Sequence, residues 1–237
     1  MSEATFTSLI TAKLVERCAS DDRVIQAARV STVGSTEGKL GGKEAPGLIN
    51  FLMANKHGSP FEHNSFTFLV DAPIFVSREF MRHRVGFSYN ETSGRYRELP
   101  GLFYVPPAGR DMVRAEATKV GAYDYRPDEV LLGRFTKALK ASCEMAWCEY
   151  EVALANGVVP EVARMLLPVT LMSSFYVTCN ARSLMSFLAL RTDHPEATYP
   201  SKPQKEIAVV ADQMEEVLKE AMPLTYAAYV THGRVAP

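Results

Sequence analysis

The sequence lacks the features that place a protein in a membrane or in an oxidising compartment. No apolar run approaches the roughly 18 residues that a bilayer-spanning helix needs. Near Met1 there is no charged segment followed by an apolar one. The cysteines form no C-x-x-C pair; they are Cys18, Cys143, Cys148 and Cys179. We therefore expect a cytoplasmic protein with reduced thiols and no membrane partner.

Several motifs that would indicate a particular chemistry are missing as well. There is no H-x-x-x-H or H-E-x-x-H pattern, and the histidines and cysteines are scattered, so we predict no metal site. No G-x-G-x-x-G opens a strand–helix–strand unit. With a net charge of −1 and no broad basic face, the chain is not expected to bind nucleic acid.

What the chain does have is the composition of an ordinary globular protein. It contains 237 residues, of which 47% are hydrophobic and 22% are charged. A chain of this length can bury a sizeable core without disulfides or metals. We treat residues 1–237 as a single domain.

The hydrophobic pattern predicts both strands and helices, with loops where glycine and proline accumulate. The predicted strands are 6–16, 65–70 and 169–179; the predicted helices are 21–31, 48–53, 74–84, 128–155, a short one from Pro160, 182–191 and 204–222. Segment 34–47 is predicted to be a linker or a ligand-gating loop, and 106–127 an irregular connection. This mixture indicates an α+β class with helices packed on a mostly antiparallel or mixed sheet.

The segment from Met81 to Glu98 concentrates four arginines and a histidine. Guanidinium groups match phosphates and carboxylates with a planar fork of donors, so this segment indicates a small phosphorylated ligand. On the predicted helix 74–84, Arg78 shares a face with Arg82, and Glu79 shares one with His83. Consecutive helical residues point about 100° apart, so the Arg-His-Arg triplet would serve different centres of two adjacent ligands.

The next few residues are predicted to form a turn with anion-binding capacity. Glu91, Ser93, Gly94 and Arg95 lie there, and backbone N–H groups with an arginine can hold a phosphate. The alternative is an ordinary surface turn in which Glu91 pairs with Arg95.

The Arg-His-Arg triplet, followed after a spacer by Ser-Gly-Arg-Tyr, resembles the signature of the flavin-dependent thymidylate synthases. Four further blocks resemble the family in the same order: Ala28–Ser31, His57–His63, Ala72–Val76 and Asn180–Met185. The eight residues between Arg84 and Ser93 make the spacer one residue longer than is usual in the family. No Pro-Cys-His tripeptide is present, so the chain does not resemble the class that uses a cysteine nucleophile.

The resemblance implies conversion of dUMP to dTMP, with methylenetetrahydrofolate as carbon donor and NADPH-reduced FAD as hydride source. It also implies a homotetramer with active sites where subunits meet. The implied FAD-binding residues are Ser59, Arg82, His83, Arg84, Glu91, Asn180, Arg182 and Ser186. The implied nucleotide-binding residues are Glu79, Arg82, Glu91, Thr92, Ser93, Gly94, Arg95, Arg164 and Arg191.

Two of the implied roles are more specific. Arg191 is expected to be catalytic, because a fixed cation near the uracil edge would favour ionisation at N3 and make C5 electron-rich. His57 is expected to position the folate or flavin ring.

Two alternatives keep part of this interpretation. The first is a UMP or UMP/dUMP C5-methylase of secondary nucleoside metabolism, since the proline-rich segment Asp193–Lys205 follows Arg191 and is longer than in typical relatives. The more remote one is a non-catalytic nucleotide- or RNA-binding protein that reuses the arginine cluster.

Overall fold

The computed structural model describes residues 2–34, 44–114 and 125–237. Most of the predicted loop over 34–47, and the middle of the predicted connection over 106–127, therefore lie outside the described residues. Among the described residues, no helix is long and apolar enough to cross a membrane.

The described residues form eight α-helices, eight strands and two short 3₁₀ turns. The helices are α1 (Asp21–Val33), α2 (Ala45–Ala54), α3 (Ile74–Phe80), α4 (Glu129–Ala155), α5 (Pro160–Ala163), α6 (Ala181–Arg191), α7 (Lys205–Ala221) and α8 (Pro223–Thr231). The strands are β1 (Thr5–Thr7), β2 (Thr11–Cys18), β3 (Ser65–Pro73), β4 (Phe87–Glu91), β5 (Leu102–Tyr104), β6 (Asp111–Arg114), β7 (Tyr125–Pro127) and β8 (Met172–Cys179). Short 3₁₀ turns cover Ser59–Glu62 and Arg164–Leu166.

The strands form one larger and two smaller sheets. The larger sheet has the order β2-β3-β8-β4. Strand β1 pairs in parallel with β5, and β6 pairs antiparallel with β7. Strand β3 shows the alternation of buried and less buried residues that favours a strand. Phe66, Phe68 and Val70 are fully buried, and the residues between them are not. The predicted α+β class is confirmed.

Contacts within the chain divide it into two compact units. Unit 1 comprises Met1–Ile10, Asp71–Arg78 and Glu91–Ser174. Unit 2 comprises Thr11–Val70, Glu79–Asn90 and Phe175–Pro237. The single domain expected over 1–237 stays a prediction.

The core of unit 1 is built around helix α4. Asp128 caps its first turn by accepting a hydrogen bond from the backbone N–H of Leu131 at 2.9 Å. Trp147 and Tyr150 lie on its buried side and pack with Phe103. Large aromatic side chains of this kind bury much apolar area each and so contribute strongly to the core of the unit.

The core of unit 2 lies between aromatic side chains and the amphipathic helix α7. The Phe80 ring stacks on Phe187 with centroids 4.7 Å apart, and it meets Phe175 edge to face. Helix α7 buries an apolar stripe at helical spacing, as its sequence predicts: Ile207, Val210, Met214 and Leu218.

Several predicted boundaries are wrong, and the most consequential is the end of α3. The helix stops at Phe80 instead of reaching Arg84, so Arg82 and His83 are not helical and the predicted shared faces do not exist. The carbonyl of Phe80 accepts a hydrogen bond from the N–H of His83 at 2.8 Å, which closes a tight turn in place of the next helical turn.

Other differences concern elements that the sequence pattern did not reveal. The predicted strand over 6–16 is two strands, β1 and β2. The predicted connection over 106–127 contains β6 and β7, and β4, β5 and α8 were not predicted. Helix α8 begins with Pro223, whose fixed φ suits the first turn of a helix as well as a break before it.

Candidate active site

A cavity of about 560 Å³ in unit 2 collects most of the residues expected to bind flavin. Its wall includes five of those eight residues: His83, Arg84, Asn180, Arg182 and Ser186. The remaining lining residues are Glu62, Val85, Gly86, Phe87, Ser183, Ala236 and Pro237. The Arg-His-Arg segment and the start of α6 therefore meet at one site, as the family resemblance implies.

The start of helix α6 holds the backbone that follows the Arg-His-Arg triplet. The side-chain oxygen of Asn180 caps the helix by accepting from the N–H of Ser183 at 2.8 Å. The Ser183 hydroxyl in turn donates to the carbonyl of Val85 at 2.9 Å. Gly86 has a φ of 70°, and a Cβ there would lie 2.1 Å from the Ser183 hydroxyl oxygen, so only glycine suits this position.

Arg182 is held on two sides at the cavity wall. Its Nη1 lies 2.6 Å from Oε1 of Glu62, and its Nε donates to the carbonyl of Pro237 at 2.5 Å. The guanidinium lies so close to Gly58 that a Cβ there would be 2.6 Å from its central carbon. Since two of its three nitrogens are engaged, Arg182 has a fixed orientation and still has N–H groups for a ligand.

Arg191 lies at the end of α6 and contacts two other predicted site residues. Its Nη1 is 2.9 Å from Oε2 of Glu79, and its Nε donates to Nε2 of His83 at 3.1 Å. An Nε2 that accepts a hydrogen bond carries no proton, so His83 is neutral and protonated at Nδ1. Burial and the charges of Arg191 and Arg82 lower the pKa of His83 to about 4, which agrees with this assignment.

Glu79 is the carboxylate of this group. Burial raises its pKa above the ordinary value; the charge of Arg191 opposes the shift, and that of Glu206 adds to it. The ion pair with Arg191 is partly exposed, so its main effect is to fix the direction of the guanidinium.

The residues expected to bind the nucleotide phosphate lie in unit 1, at the end of β4 and beyond it. The N–H and hydroxyl of Thr92 both donate to the carbonyl of Ser174, at 3.0 and 3.1 Å. Nε of Arg95 lies 2.7 Å from Oε2 of Glu161, so the alternative pairing of Arg95 with Glu91 is wrong. The Ser77 hydroxyl instead donates to Glu91 at 3.5 Å.

Gly94 and Arg164 lie close together within the same unit. Gly94 is buried, and a Cβ there would lie 3.2 Å from Cδ of Arg164. Arg164 is exposed and begins the 3₁₀ turn after α5, with its Nε donating to the carbonyl of Glu161 at 3.3 Å. Arg95 and Arg164 therefore both contact Glu161. Ser93, two positions before Arg95, is half-buried.

Four residues expected to contact flavin or folate do not line the cavity: Ser59, Arg82, Glu91 and His57. Ser59 is the exposed first residue of a 3₁₀ turn, and Arg82 is exposed. His57 is exposed and packs against Phe51, with ring centroids 5.7 Å apart. Their expected roles stay predictions.

Sequence reasoning missed two kinds of cavity residue. Glu62 lies inside a family-like block, but only the structure shows that it pairs with Arg182. Ala236 and Pro237 carry no signal at all, because a small apolar residue and a proline indicate no binding chemistry.

The chemistry of the cavity suits an anionic, partly aromatic ligand. It offers the guanidinium groups of Arg84 and Arg182, the Asn180 amide and the Ser186 hydroxyl. Its one carboxylate, Glu62, is neutralised by Arg182. These donors fit the pyrophosphate of a dinucleotide such as FAD. Within the described residues, no group of three or more metal-ligating side chains is found.

Comparisons with known proteins identify close relatives. A family model described as thymidylate synthase complementing protein matches residues 13–224. The flavin-dependent thymidylate synthase of Streptomyces avermitilis is 52% identical, over 98% of this chain and 96% of the relative. That of Tropheryma whipplei strain TW08/27 is 47% identical, over 99% and 98% respectively.

Two solved structures resemble the fold over nearly its whole length. Both are of a UMP/dUMP methylase, PolB, from Streptomyces cacaoi. The one bound with 5-Br dUMP has a TM-score of 0.92 and 46% identity, covering 98% of this chain and 100% of that one. The one bound with 5-Br UMP has a TM-score of 0.91 and 45% identity, covering 100% of both.

Proposed function

The chain belongs to the family of flavin-dependent thymidylate synthases, and we propose that it methylates C5 of dUMP to give dTMP. Methylenetetrahydrofolate supplies the carbon, and NADPH-reduced FAD supplies the hydride. The observation that carries this proposal is the single cavity in which His83, Arg84, Asn180 and Arg182 meet. It brings together residues that are separated by almost 100 positions and that the family resemblance assigns to flavin.

The protein's part in flavin binding is charge compensation and orientation. Arg84 would provide positive charge for the phosphates, and Arg182, which is paired with Glu62, would provide oriented N–H donors. Asn180 and Ser186 would provide further polar contacts. His83 is neutral and packs edge to face on Phe187, with ring centroids 4.9 Å apart. It therefore lines the cavity with an uncharged aromatic ring. When bound, FAD would supply the hydride-transfer chemistry of the reaction.

Nucleotide binding is assigned to the second group of predicted residues. In unit 1, Arg95, Arg164 and the N–H groups of Ser93 and Gly94 would receive the phosphate. The family resemblance also assigns Glu79, Arg82 and Glu91 to nucleotide binding. Arg191 would face the uracil, where a cation stabilises the negative charge that develops on the ring. The contacts with Glu79 and His83 support this role because they orient Arg191 before substrate binds.

UMP is the second candidate substrate. The similarity to proteins named flavin-dependent thymidylate synthase supports dUMP as the substrate of this chain. The similarity to PolB, a UMP/dUMP methylase with a structure bound with 5-Br UMP, supports acceptance of the ribonucleotide as well. In this chain, an ion pair joins Lys202 to Asp193 within the segment that follows Arg191, with Nζ and Oδ2 3.2 Å apart. The non-catalytic binding protein has no comparable support.

We also propose the homotetramer, with active sites where subunits meet, and a cytoplasmic location. Helix α4 supports self-association because it exposes large apolar residues on one side, in an apolar stripe that polar residues interrupt: Leu131, Phe135, Met145 and Val152. The four cysteines are all free, which suits a reducing compartment.

The test is formation of C5-methylated nucleotide by the purified protein with FAD, NADPH and methylenetetrahydrofolate. dUMP and UMP are compared at equal concentration, and omission of the folate is the control. Preference for dUMP supports the thymidylate synthase assignment, and comparable UMP turnover supports the methylase of broader specificity. No folate-dependent product from either nucleotide contradicts the proposal.

A further inference from the structure

Residues 234–237 lie outside the 13–224 range matched by the family model, yet two of them form part of the cavity wall. The carbonyl of Pro237 accepts a hydrogen bond from Arg182, one of the cationic groups of that wall. The segment therefore contributes to the site through its backbone. This explains why no side-chain motif in the sequence indicates its role.

Arg234 fixes the start of this segment in the core of unit 2. It is only 5% exposed, and its two terminal nitrogens lie 2.8 and 2.9 Å from the oxygens of Glu215. One of them also donates to the Thr192 hydroxyl at 3.0 Å, and the Arg234 N–H donates to the carbonyl of Tyr229 at 2.9 Å. A bidentate pair buried in this way defines a direction as well as a position.

Lys56 fixes the middle of the segment. Its Nζ donates to the carbonyl of Val235 at 3.1 Å, across 179 positions of sequence. Among the described residues, the non-glycine residues with positive φ are Lys56 and Arg234, both at 59°. Backbone conformations of this kind cost free energy and persist where surrounding contacts require them. Both residues contact or belong to residues 234–237.

Arg182 is the point at which the segment reaches the cavity. Glu62 and the Pro237 carbonyl take two of its nitrogens, and Gly58 leaves room for the guanidinium to lie against the backbone. An arginine that is already oriented loses less conformational freedom when it binds a phosphate, and this raises affinity without a new ligand contact.

We propose that residues 234–237 are a positioning segment for flavin binding, which orients Arg182 through the Pro237 carbonyl and is itself held by Lys56 and Arg234. The inference rests on the proposed function, because it assigns the cavity to FAD. It adds a determinant outside the family-matched range. Neither Lys56 nor Arg234 lines the cavity, so their effect on FAD is transmitted through the segment.

The decisive variant is Lys56→Gly. Glycine adopts a φ of 59° without strain, so the loss of the Val235 contact is not accompanied by a loss of backbone stability. We expect the melting temperature of the apoprotein to stay the same or rise, while the Kd for FAD increases about threefold. Lys56→Arg keeps a donor at this position and is the matched control, with an expected Kd close to that of the wild type.

A second variant, which lacks Ala236 and Pro237, removes the carbonyl contact itself. We expect the Kd for FAD to increase about tenfold, measured by flavin fluorescence and absorbance without turnover. The KM for dUMP at saturating FAD should be unchanged.

The opposite results separate the two proposals. If the wild type binds no FAD, the proposed function fails and this inference fails with it. If the wild type binds FAD and both variants bind it equally well or more tightly, the positioning role alone is overturned, and tighter binding by the shortened chain would identify residues 236–237 as competitors of the flavin.

Discussion

The contact between Arg191 and His83 shows how one hydrogen bond can define the state of a residue. Arg191 can only donate, so the acceptor nitrogen of His83 is unprotonated. Burial, Arg191 and Arg82 all act in the same direction and lower the pKa of His83 to about 4. At neutral pH this site therefore contains a neutral imidazole between two arginines.

The first prediction concerns the pH dependence of stability. Between pH 6.5 and about 4, the unfolded chain binds a proton at His83 that the folded chain does not. The free energy of unfolding should therefore fall as the pH is lowered through this window. His83→Gln should lose that part of the dependence, about 1 kcal/mol after allowance for the partial exposure of the ring.

Urea unfolding of the wild type and His83→Gln at pH 7 and pH 5 measures the effect. The other histidines and the acidic residues are common to both proteins, so the difference between the two pH dependences reports His83. Parallel pH dependences for wild type and variant would show that the His83 pKa is not lowered in the folded protein.

The second prediction concerns Gly86. Alanine at this position would combine a positive φ with a contact of 2.1 Å to the Ser183 hydroxyl, which is itself bonded to Val85. Gly86→Ala should lower the free energy of unfolding by about 1–3 kcal/mol and weaken FAD binding.

Gly133→Ala is the matched control for this substitution. Gly133 lies in helix α4, and a Cβ added there would meet open space within 4 Å, so alanine should stabilise the protein by about 0.5–1 kcal/mol. Equal effects of the two substitutions in chemical denaturation would contradict the close packing of Gly86 on α6.

At the scale of elements, the junction between α3 and β4 was the hardest part to predict from the sequence. The apolar spacing from Ile74 onward continues past Phe80, so the local pattern indicates a longer helix. The helix ends because the hydroxyl of Tyr89 lies 2.7 Å from the carbonyl oxygens of both Phe80 and His83. A hydrogen bond from another element cannot be read from helical periodicity.

The remaining elements show the same division between local and non-local causes. Helix α7 was predicted closely because its apolar stripe is continuous from Ile207 to Leu218. Strand β4 does not stand out in the sequence because its exposed residues are Ser88 and Asn90, which are also common in turns, and it has no fully buried residue. An element can be predicted from the sequence when its own hydrophobic pattern determines its structure.

The third prediction tests the Tyr89 contact. Tyr89→Phe keeps the ring, which stacks on Phe87, but removes the hydroxyl that closes the turn. We expect a loss of about 1 kcal/mol in the free energy of unfolding and a lower kcat, because His83 is less well placed. Tyr199→Phe is the control, since Tyr199 is 75% exposed and should change neither quantity. A silent Tyr89→Phe would mean that the turn forms without the hydroxyl.

At the scale of the whole molecule, five of the eight residues that the sequence predicts for flavin binding line one cavity, and their role in binding flavin stays a prediction. Four of these five residues belong to two short family-like segments, so a local motif is enough to identify them: His83, Arg84, Asn180 and Arg182. The pairing of Arg182 with Glu62 and Pro237 spans 120 and 55 positions, so it exists only in the folded chain. Lys56 and Arg234 were not identified because their role depends on contacts of this long-range kind.

The fourth prediction concerns the proposed assembly. Helix α4 exposes Phe135 by 46% and Met145 by 70%, and these residues lie on one face with smaller ones between them. Association of copies of the chain would remove such a face from water. In a symmetric oligomer, every copy buries the same surface. The double substitution Phe135→Lys with Met145→Lys should therefore lower the molecular mass measured by sedimentation equilibrium.

Lys137→Glu is the control, because it changes charge on the same helix but outside the apolar stripe. The control should keep the wild-type mass, and helix content by circular dichroism should be the same in all three proteins. If active sites lie where subunits meet, dissociation of the double variant should also abolish turnover, and its activity should recover partly at high protein concentration. A double variant that keeps the wild-type mass would exclude this face of α4 from the interface.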